Sequence, residues 1–136
     1  MKKVLVFGSF DILHPGHLHF FQQAKQHGNL LYVIIARDRT IKKIKGKKPH
    51  YHESERKTAV EKLEIVDKAF FGDLKDPYKI IEEIKPDVIC LGYDQTAFID
   101  NLQQELKKRN LNPKIIRLKA HKPEQYKSSR FRTSAL

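Results

Sequence analysis

Two histidines near the start of the chain have the type and spacing of a phosphate-binding pair. His14 and His17 lie three residues apart where a helical pattern begins, so they share one face of its first turn and could hydrogen-bond a single anion. Gly8 and Ser9 precede them, and such small residues let the backbone approach a bound group closely. A zinc site would need a third ligand and the spacing of a His-Glu-x-x-His helix, and neither is present. The stretch therefore predicts a site for a phosphate chain.

The elements around this pair place it at a strand-to-helix turn. The apolar run Val4–Phe7 is typical of a strand buried on both faces, and a helix is expected over residues 15–27, with Leu18, Phe21 and Ala24 facing the core. A proline at the first helical position suits such a start, and the free amides of the first turn are expected to attract phosphate. A lone histidine here would more simply be a surface or capping residue. Two of them in this turn favour phosphate binding.

Strand and helix patterns alternate along the whole chain. Further apolar runs predict strands over residues 30–36, 68–72, 87–92 and 114–118, and helical spacing predicts helices over residues 53–66, 77–85 and 96–109. A short helix-like stretch opens at residues 37–40, a loop is expected over residues 45–49, and Asp38 and Ser54 are candidate N-caps. The pattern predicts an α/β fold: a Rossmann-like open parallel five-stranded sheet with helices on both faces and right-handed crossovers.

Length and composition exclude several classes of protein. The 136 residues are expected to form a single domain, residues 1–136. The single cysteine, Cys90, lies in an apolar run, so we expect a packed core thiol without a disulfide framework, which fits a reducing cytoplasm. No signal peptide is expected, since the first apolar run is short, and no run is long enough to span a bilayer.

The chain is strongly basic, with 27 Lys and Arg against 16 Asp and Glu and a formal net charge of +11. Its field should favour anions, so nucleotides and nucleic acids are both candidate partners. Much of the excess lies in Arg37–Lys48, which follows the second predicted strand, and in Lys114–Arg132. The simpler reading of such a charge run is a solvated face. Because ligands of a parallel α/β sheet lie beyond the carboxyl ends of its strands, the first segment is also a candidate phosphate-binding loop.

Two more segments follow predicted strands and could bind a nucleotide. The first could read a base or a ribose, or form an ordinary turn with a helix cap; it consists of Gly92, Tyr93, Asp94 and Gln95. The second offers hydroxyls and cations at the start of a short predicted helix and could be a second phosphate cradle or a disordered basic tail; it contains Lys127, Ser128 and Ser129.

The first of these motifs resembles the signature of the cytidylyltransferase-like nucleotidyltransferases, Gly-x-Phe-Asp-x-x-His-x-Gly-His. The pattern is matched without a gap by Gly8, Phe10, Asp11, His14, Gly16 and His17. The resemblance implies transfer of a nucleotidyl group from a nucleoside triphosphate to a phosphate-bearing acceptor, with release of pyrophosphate. It makes His14 and His17 catalytic and places the rest of the motif, including Ser9, at the nucleotide. Asp11 has no evident basic partner and could instead orient the turn.

The resemblance extends to the archaeal FAD synthases, which transfer AMP from ATP to FMN. It implies that Lys45 and Lys47 grip phosphates and that Arg56 is a basic phosphate contact. Residues 92–95 resemble the nucleotide-contacting loop of those enzymes. Residues 127–129 are similar to a family motif that meets the triphosphate from the side opposite the histidines, and a homodimer is also expected from the resemblance.

The residue types favour a mechanism of positioning and charge neutralisation. No nucleophile with an adjacent base is evident, and the acceptor phosphate is itself a nucleophile, so direct in-line attack on the α-phosphorus is the simplest scheme. Mg²⁺ or another divalent cation is expected, held mainly by substrate oxygens because few carboxylates flank the motif. The alternatives are a cytidylyltransferase that uses CTP and glycerol 3-phosphate or another small phospho-metabolite, and, less favoured, a nucleic-acid-binding module on the same fold. No membrane partner is expected.

Overall fold

Continuous apolar runs form a central sheet in the computed structural model, which describes residues 1–76, 78–92, 95 and 101–119. The strands are β1 (Lys3–Gly8), β2 (Leu30–Ile35), β3 (Lys68–Phe71), β4 (Val88–Leu91) and β5 (Lys114–Arg117), and the helices are α1 (Pro15–Lys25), α2 (Asp38–Lys45), α3 (Glu53–Glu61), α4 (Lys79–Ile84) and α5 (Leu102–Lys108). The strand order is β3-β2-β1-β4-β5. Every neighbouring pair is parallel. The predicted Rossmann-like α/β fold is therefore confirmed.

The alternation of side chains along β1 divides the core into two layers. Val4 and Val6 pack on one face with Phe21 and Ala24 of α1 and Val60 of α3. Leu5 packs on the other face with apolar residues of α4 and α5, including Ile81, Ile84, Leu102 and Leu106. Successive side chains of a strand point to opposite faces, so a central strand must be apolar at every position to bury both. Helices consequently cover both faces of the sheet, as predicted.

Two helix starts differ from the predictions. Asp38 is the first residue of α2 rather than its cap, since Arg37 occupies the N-cap position. His52, not Ser54, caps α3: its side chain accepts a hydrogen bond from the Ser54 amide, and Glu55 reaches back to the His52 amide to complete a capping box. Asp38 thus lies one position after the observed N-cap of α2, and Ser54 lies two positions after that of α3.

The basic segment after β2 begins as a short helix, as predicted. The helix-like stretch expected to open at residues 37–40 is α2. It includes Lys45, the first residue of the predicted loop, and Gly46 ends it with φ 78°. Glycine adopts this left-handed conformation without steric cost, which explains where the helix stops.

Helix α3 ends before its predicted limit at residue 66. Beyond Glu61 the chain continues in turns, in which the Leu63 amide bonds the Val60 carbonyl and the Val66 amide bonds the Leu63 carbonyl. Val66 is nevertheless buried in the same core layer as Val60. The apolar spacing thus identified the packed residues correctly and the length of the helix wrongly.

Two smaller predictions concern the core. Leu18 was expected to be buried, but it is 37% exposed, because Phe21 and Ala24 form the buried side of α1. Cys90 is fully buried, as predicted, and burial raises the pKa of its thiol to about 11. Within the described residues, no helix is both long enough and apolar enough to cross a membrane. The predicted start of α4 at Pro77 and the first part of the helix predicted over residues 96–109 lie outside those residues.

Candidate active site

His14 closes the turn between β1 and α1. It is the N-cap of α1, and its Nδ1 accepts a hydrogen bond from the Gly16 amide at 3.0 Å. Burial leaves it 7% exposed and lowers the pKa of its imidazole. A neutral ring that accepts at Nδ1 carries its proton at Nε2, so His14 is held in the tautomer that can donate from Nε2. The simpler reading of this histidine as a cap is thus correct, and capping orients it for a second task.

His17 lies against His14. The two rings are stacked, with centroids 4.0 Å apart and planes inclined by 25°. The Nδ1 atom of His17 is buried and has no hydrogen-bond partner within the described residues. Burial and, second, the neighbouring His14 lower the pKa of His17 from 6.5 to about 4. At neutral pH both rings are therefore uncharged, and the pair offers hydrogen bonds rather than fixed positive charge.

The first amides of α1 differ from the prediction that they are free to bind phosphate. Pro15 has no amide hydrogen, the Gly16 amide is taken by the His14 side chain, and the His17 and Leu18 amides donate to the His14 carbonyl at 2.9 and 3.3 Å. Side-chain capping satisfies donors that would otherwise point at a ligand. The polar groups that this turn presents to an anion are consequently the imidazole rings.

Phe10 packs against the histidine pair. It is 4% exposed, and its ring packs against Phe21 at 5.0 Å and edge-on against His17 at 5.4 Å. Its backbone is left-handed, with φ 48°. A Cβ atom on Gly8 would lie 2.6 Å from Cζ of Phe10, so the glycine leaves the space that this ring fills. Both motif residues act on the site through packing in this structure.

Asp11 fixes a distant part of the chain. Its two carboxylate oxygens accept the amides of His50 at 2.5 Å and Tyr51 at 2.7 Å, just before α3. This arrangement corresponds to the alternative in which Asp11 orients the turn. The structure thus joins the loop after β1 to the segment that follows the lysines.

Arg56 is placed differently from the predicted phosphate contact. Its side chain is fully buried, and its guanidinium donates to the Ser9 carbonyl at 2.8 Å, the Tyr51 carbonyl at 3.0 Å and Asp38 Oδ1 at 2.7 Å. Each of its three nitrogens therefore has a protein oxygen as its partner. The predicted contact must be corrected, because a guanidinium in this position reaches the backbone of the loop and not its open side.

The predicted phosphate-gripping lysines lie at and after the end of α2, the helix that follows β2. The Ala36 amide donates to the Gly8 carbonyl at 2.9 Å, so the chain leaves β2 next to the end of β1 before entering α2. Lys45 is the last residue of α2, Lys47 follows Gly46, and both lysines are exposed. The parallel pairing of β1 and β2 thus brings this cationic segment to the edge of the sheet that carries the histidines.

A second pair of groups organises the loop after β4. Gln95 Nε2 donates to the Phe7 carbonyl at 2.8 Å, while Gln95 Oε1 accepts the Gly92 amide at 2.7 Å. Arg117, at the end of β5, donates from Nη1 to the carbonyls of Gly92 and Gln95 at 2.8 and 2.9 Å. Gln95 therefore ties the loop to β1. The predicted nucleotide contacts Tyr93, Asp94, Lys127, Ser128 and Ser129 lie outside the described residues.

Comparison with known proteins decides the family. Residues 5–134 match the family model described as cytidylyltransferase-like. The chain belongs to this family. The FAD synthase of Ferroglobus placidus is 47% identical over 120 residues, which cover 88% of this chain and 78% of the relative. The FAD synthase of Archaeoglobus profundus is 44% identical over 129 residues, 95% of this chain and 82% of the relative.

A solved structure gives the same picture of this cytidylyltransferase-like chain. The crystal structure of a protein from Thermoplasma volcanium GSS1, described as a lipopolysaccharide core biosynthesis protein, superposes with a TM-score of 0.83 at 39% identity. The match covers 89% of this chain and 98% of that one. The sheet and the turn after its first strand are therefore those of a known protein fold.

Sequence reasoning missed three residues that link the segments around this candidate site. Arg117 could have been found as a charged residue directly after two apolar strand residues, at the carboxyl end of β5. Glu53 and Arg37 form an ion pair of 2.8 Å across the starts of α2 and α3. In the sequence, these two residues are marked only by their opposite charges near two predicted helix starts. That signal does not identify them as a pair.

Proposed function

We propose that the protein is an FAD synthase, which transfers AMP from ATP to FMN and releases pyrophosphate. The observation that carries the proposal is identity of 42–47% to five FAD synthases over 87–95% of the chain. The paired histidines and the adjacent lysines suit such a reaction, because they can hold a triphosphate at the carboxyl edge of the sheet. The protein is accordingly a nucleotidyltransferase.

The transfer needs one bond to form and one to break at the α-phosphorus. A phosphate oxygen of FMN attacks the α-phosphorus of ATP, and the bond from that phosphorus to the oxygen bridging it to the β-phosphorus breaks, so the electron pair leaves with pyrophosphate. His14 donates from Nε2 to the phosphate oxygens, and His17 stacks against it as a second donor. Lys45 and Lys47 neutralise the departing charge. Donors placed where charge develops lower the barrier by about 3–4 kcal/mol each.

A divalent cation belongs to this proposal as a companion of the substrate. Mg²⁺ prefers oxygen ligands and keeps several waters, so it would be held chiefly by phosphate oxygens. Asp11, the carboxylate of the histidine loop, already accepts two amides at 2.5 and 2.7 Å, which suits a cation bound through the nucleotide. When bound, Mg²⁺ supplies charge neutralisation on the phosphates. Removal of divalent cations with EDTA should abolish synthesis, and added Mg²⁺ should restore it.

A cytoplasmic location, an archaeal source and a homodimer complete the proposal. The location is supported by the single, buried cysteine, which suits a reducing compartment. The source and the homodimer are supported by the resemblance to archaeal FAD synthases. Light scattering on the purified protein should give twice the monomer mass of 16.0 kDa, and a monomer at micromolar concentration would contradict the homodimer.

The substrate pair is tested by pyrophosphate release in the presence of Mg²⁺. ATP and CTP are each offered with FMN and with glycerol 3-phosphate. We expect release only from ATP with FMN, with FAD identified by chromatography. Release only from CTP with glycerol 3-phosphate would identify a cytidylyltransferase and overturn the proposal, while silence in all four mixtures would exclude both activities.

The histidine pair is tested by a matched substitution. His17→Ala should keep the fold and lower kcat for FAD synthesis by about 100-fold, as expected for loss of one transition-state donor. His27→Ala is the control, since this histidine follows the opposite end of α1 and should leave kcat unchanged. Near-normal turnover in folded His17→Ala would remove this ring from the mechanism.

A further inference from the structure

Arg56 is the largest side chain in the fully buried part of the core, and it is charged. Charged residues are rarely buried unless they are paired, and an unpaired one would cost several kcal/mol. The three oxygens that pair it come from three separate segments: the loop after β1, the start of α2 and the residues before α3. A planar guanidinium with donors fixed in a fork can join such a set, whereas a lysine ammonium cannot reproduce its geometry.

Asp38 carries this connection into α2. Its Oδ1 accepts from Arg56 and its Oδ2 from the Glu53 amide at 3.2 Å. Glu53 also binds the start of α2: its Oε1 accepts a hydrogen bond from the Asp38 amide and its Oε2 accepts one from Arg37 Nε, both at 2.8 Å. Burial raises the pKa of the Asp38 carboxyl, but the bonds from Arg56 and Glu53 outweigh it and hold the pKa below its usual value. The first residues of α2 and α3 are thus locked to each other.

The same network holds both ends of the lysine segment. Residue 38, at the start of α2, is tied through Arg56 to the Ser9 carbonyl. Residues 50 and 51, after the lysines, are tied by their amides to Asp11. Between these two anchors the chain carries Lys45 and Lys47. Hydrogen bonds to Asp11, Arg56 and Asp38 therefore anchor both ends of the lysine segment to the histidine loop.

We propose that Arg56 is a positioning residue. It acts through Asp38 and the Ser9 carbonyl to hold the lysine segment in a fixed position relative to the histidine pair. This inference rests on the proposed function for its kinetic consequence. A displacement of about 1 Å in a binding group can cost about 100-fold in rate. Arg56 therefore affects the transfer without touching phosphate, and its effect depends on Asp38.

A double-mutant cycle tests this dependence. Arg56→Lys keeps the charge and loses the fork, and Asp38→Asn removes the carboxylate that Arg56 holds. Each should lower kcat/KM for ATP by at least about 10-fold, and the double variant should be no worse than the poorer single one, because both break one link. If Arg56 instead contacted phosphate directly, the pattern would differ. Asp38→Asn would then leave ATP binding intact, because it removes a negative charge. Additive losses, or a normal Asp38→Asn enzyme, would overturn the proposal.

Arg109→Lys is the matched control. Arg109 is also mostly buried and forms a comparable ion pair, 2.6 Å from Asp76, but it lies at the end of α5. It should lose stability and keep its kcat/KM. If it loses kcat/KM as Arg56→Lys does, the effect of Arg56 is general destabilisation and the proposal fails. If Arg56→Lys does not fold, Glu53→Gln breaks the neighbouring link and should lower kcat/KM without additivity to Asp38→Asn.

The ring signals of His14 and His17 in the ligand-free protein separate this inference from the proposed function. Arg56→Lys should shift both imidazole signals in NMR spectra and speed hydrogen exchange of the His50 and Tyr51 amides, whereas Arg109→Lys should change neither. If the parent protein makes no FAD, the proposed function fails, and these signals still decide the positioning role. Unchanged ring signals and amide exchange in folded Arg56→Lys would refute it.

Discussion

His14 shows how one side chain can satisfy the backbone and prepare a site together. Its Nδ1 caps α1 through the Gly16 amide, so its remaining ring nitrogen carries the proton. The ring also stacks on His17, whose buried Nδ1 has no partner within the described residues. An unpaired buried polar atom costs free energy, and in proteins such a cost commonly marks a functional group. The pair therefore combines a structural cap with a neighbour whose buried Nδ1 has no partner within the described residues.

The lowered pKa of His17 predicts a pH-dependent free energy of unfolding. The pKa is about 4 in the folded protein and about 6.5 in the unfolded chain, so protons bind the unfolded state more readily between these values. The stability is fully present above pH 6.5 and is lost as the pH falls toward 4. Urea unfolding should show that a fall from about pH 7.5 to about pH 4.5 costs the parent about 2 kcal/mol more than it costs His17→Gln.

The control for this measurement is His27→Gln, which should follow the parent. His27 lies after the C-terminal end of α1, and its substitution leaves the stacked pair intact. If His17→Gln and the parent lose the same stability over this range, the buried neutral form of His17 is not the source of the pH dependence.

At the scale of elements, the residues at the ends of β1 and of its neighbouring strands determine where a ligand can bind and where packing is tight. Gly8 is the last residue of β1, and a Cβ there would lie 2.6 Å from Phe10 Cζ. Gly28 precedes β2 at the opposite edge, and a Cβ there would lie 2.6 Å from Val4 Cγ2 and 2.8 Å from the Lys2 carbonyl oxygen. At Gly8 the near atoms all belong to the Phe10 ring, whereas at Gly28 they include a backbone oxygen, which cannot move as easily.

The two alanine variants should therefore both lose stability, and only the one at Gly8 should also lose activity. Gly8→Ala and Gly28→Ala should each lower the free energy of unfolding by about 1–3 kcal/mol, as overpacking does. Gly8→Ala should also lower kcat/KM for ATP, because it displaces the Phe10 ring that supports His17. Urea unfolding and steady-state FAD synthesis measure the two effects. Equal activity in both variants, at equal loss of stability, would contradict a link from Gly8 to the histidine.

At the scale of the whole molecule, the net charge of +11 should attract an anionic substrate. Salt screens such attraction, with a Debye length of about 10 Å at 0.1 M and about 3 Å at 1 M. We expect the KM for ATP to rise several-fold between about 0.1 M and about 1 M salt, with a smaller change in kcat. Initial rates of FAD synthesis over this range give both constants.

A pair of double variants locates the charges responsible. Lys45→Gln with Lys47→Gln should weaken the salt dependence of KM, since these exposed lysines are the proposed phosphate contacts. Lys107→Gln with Lys108→Gln removes the same charge from the exposed end of α5 and should leave most of the dependence in place. Equal effects of the two pairs would mean that the overall field, and not the lysine segment, attracts ATP.

The chain's own residue pattern predicted the fold and the strand-to-helix turn that holds the two histidines. The five apolar runs, the glycines at their ends and the spacing of His14 and His17 are local properties, and each constrains only the few residues around it. For this reason the parallel sheet, the burial of Cys90 and the proximity of the histidines followed from the sequence. Helix limits were less accurate, because caps such as His52 compete with neighbours of similar propensity.

Only the tertiary structure decided which groups hold the loops of the site in place. Arg56 reaches the Ser9 carbonyl across 47 residues of chain, and Gln95 reaches the Phe7 carbonyl across 88. In the sequence Arg56 resembles a phosphate ligand, since a charged side chain looks the same whether its partner is a substrate or a carbonyl. The difference depends on how parallel crossovers bring distant strand ends together, and that arrangement gives the arginine three oxygen partners within the protein.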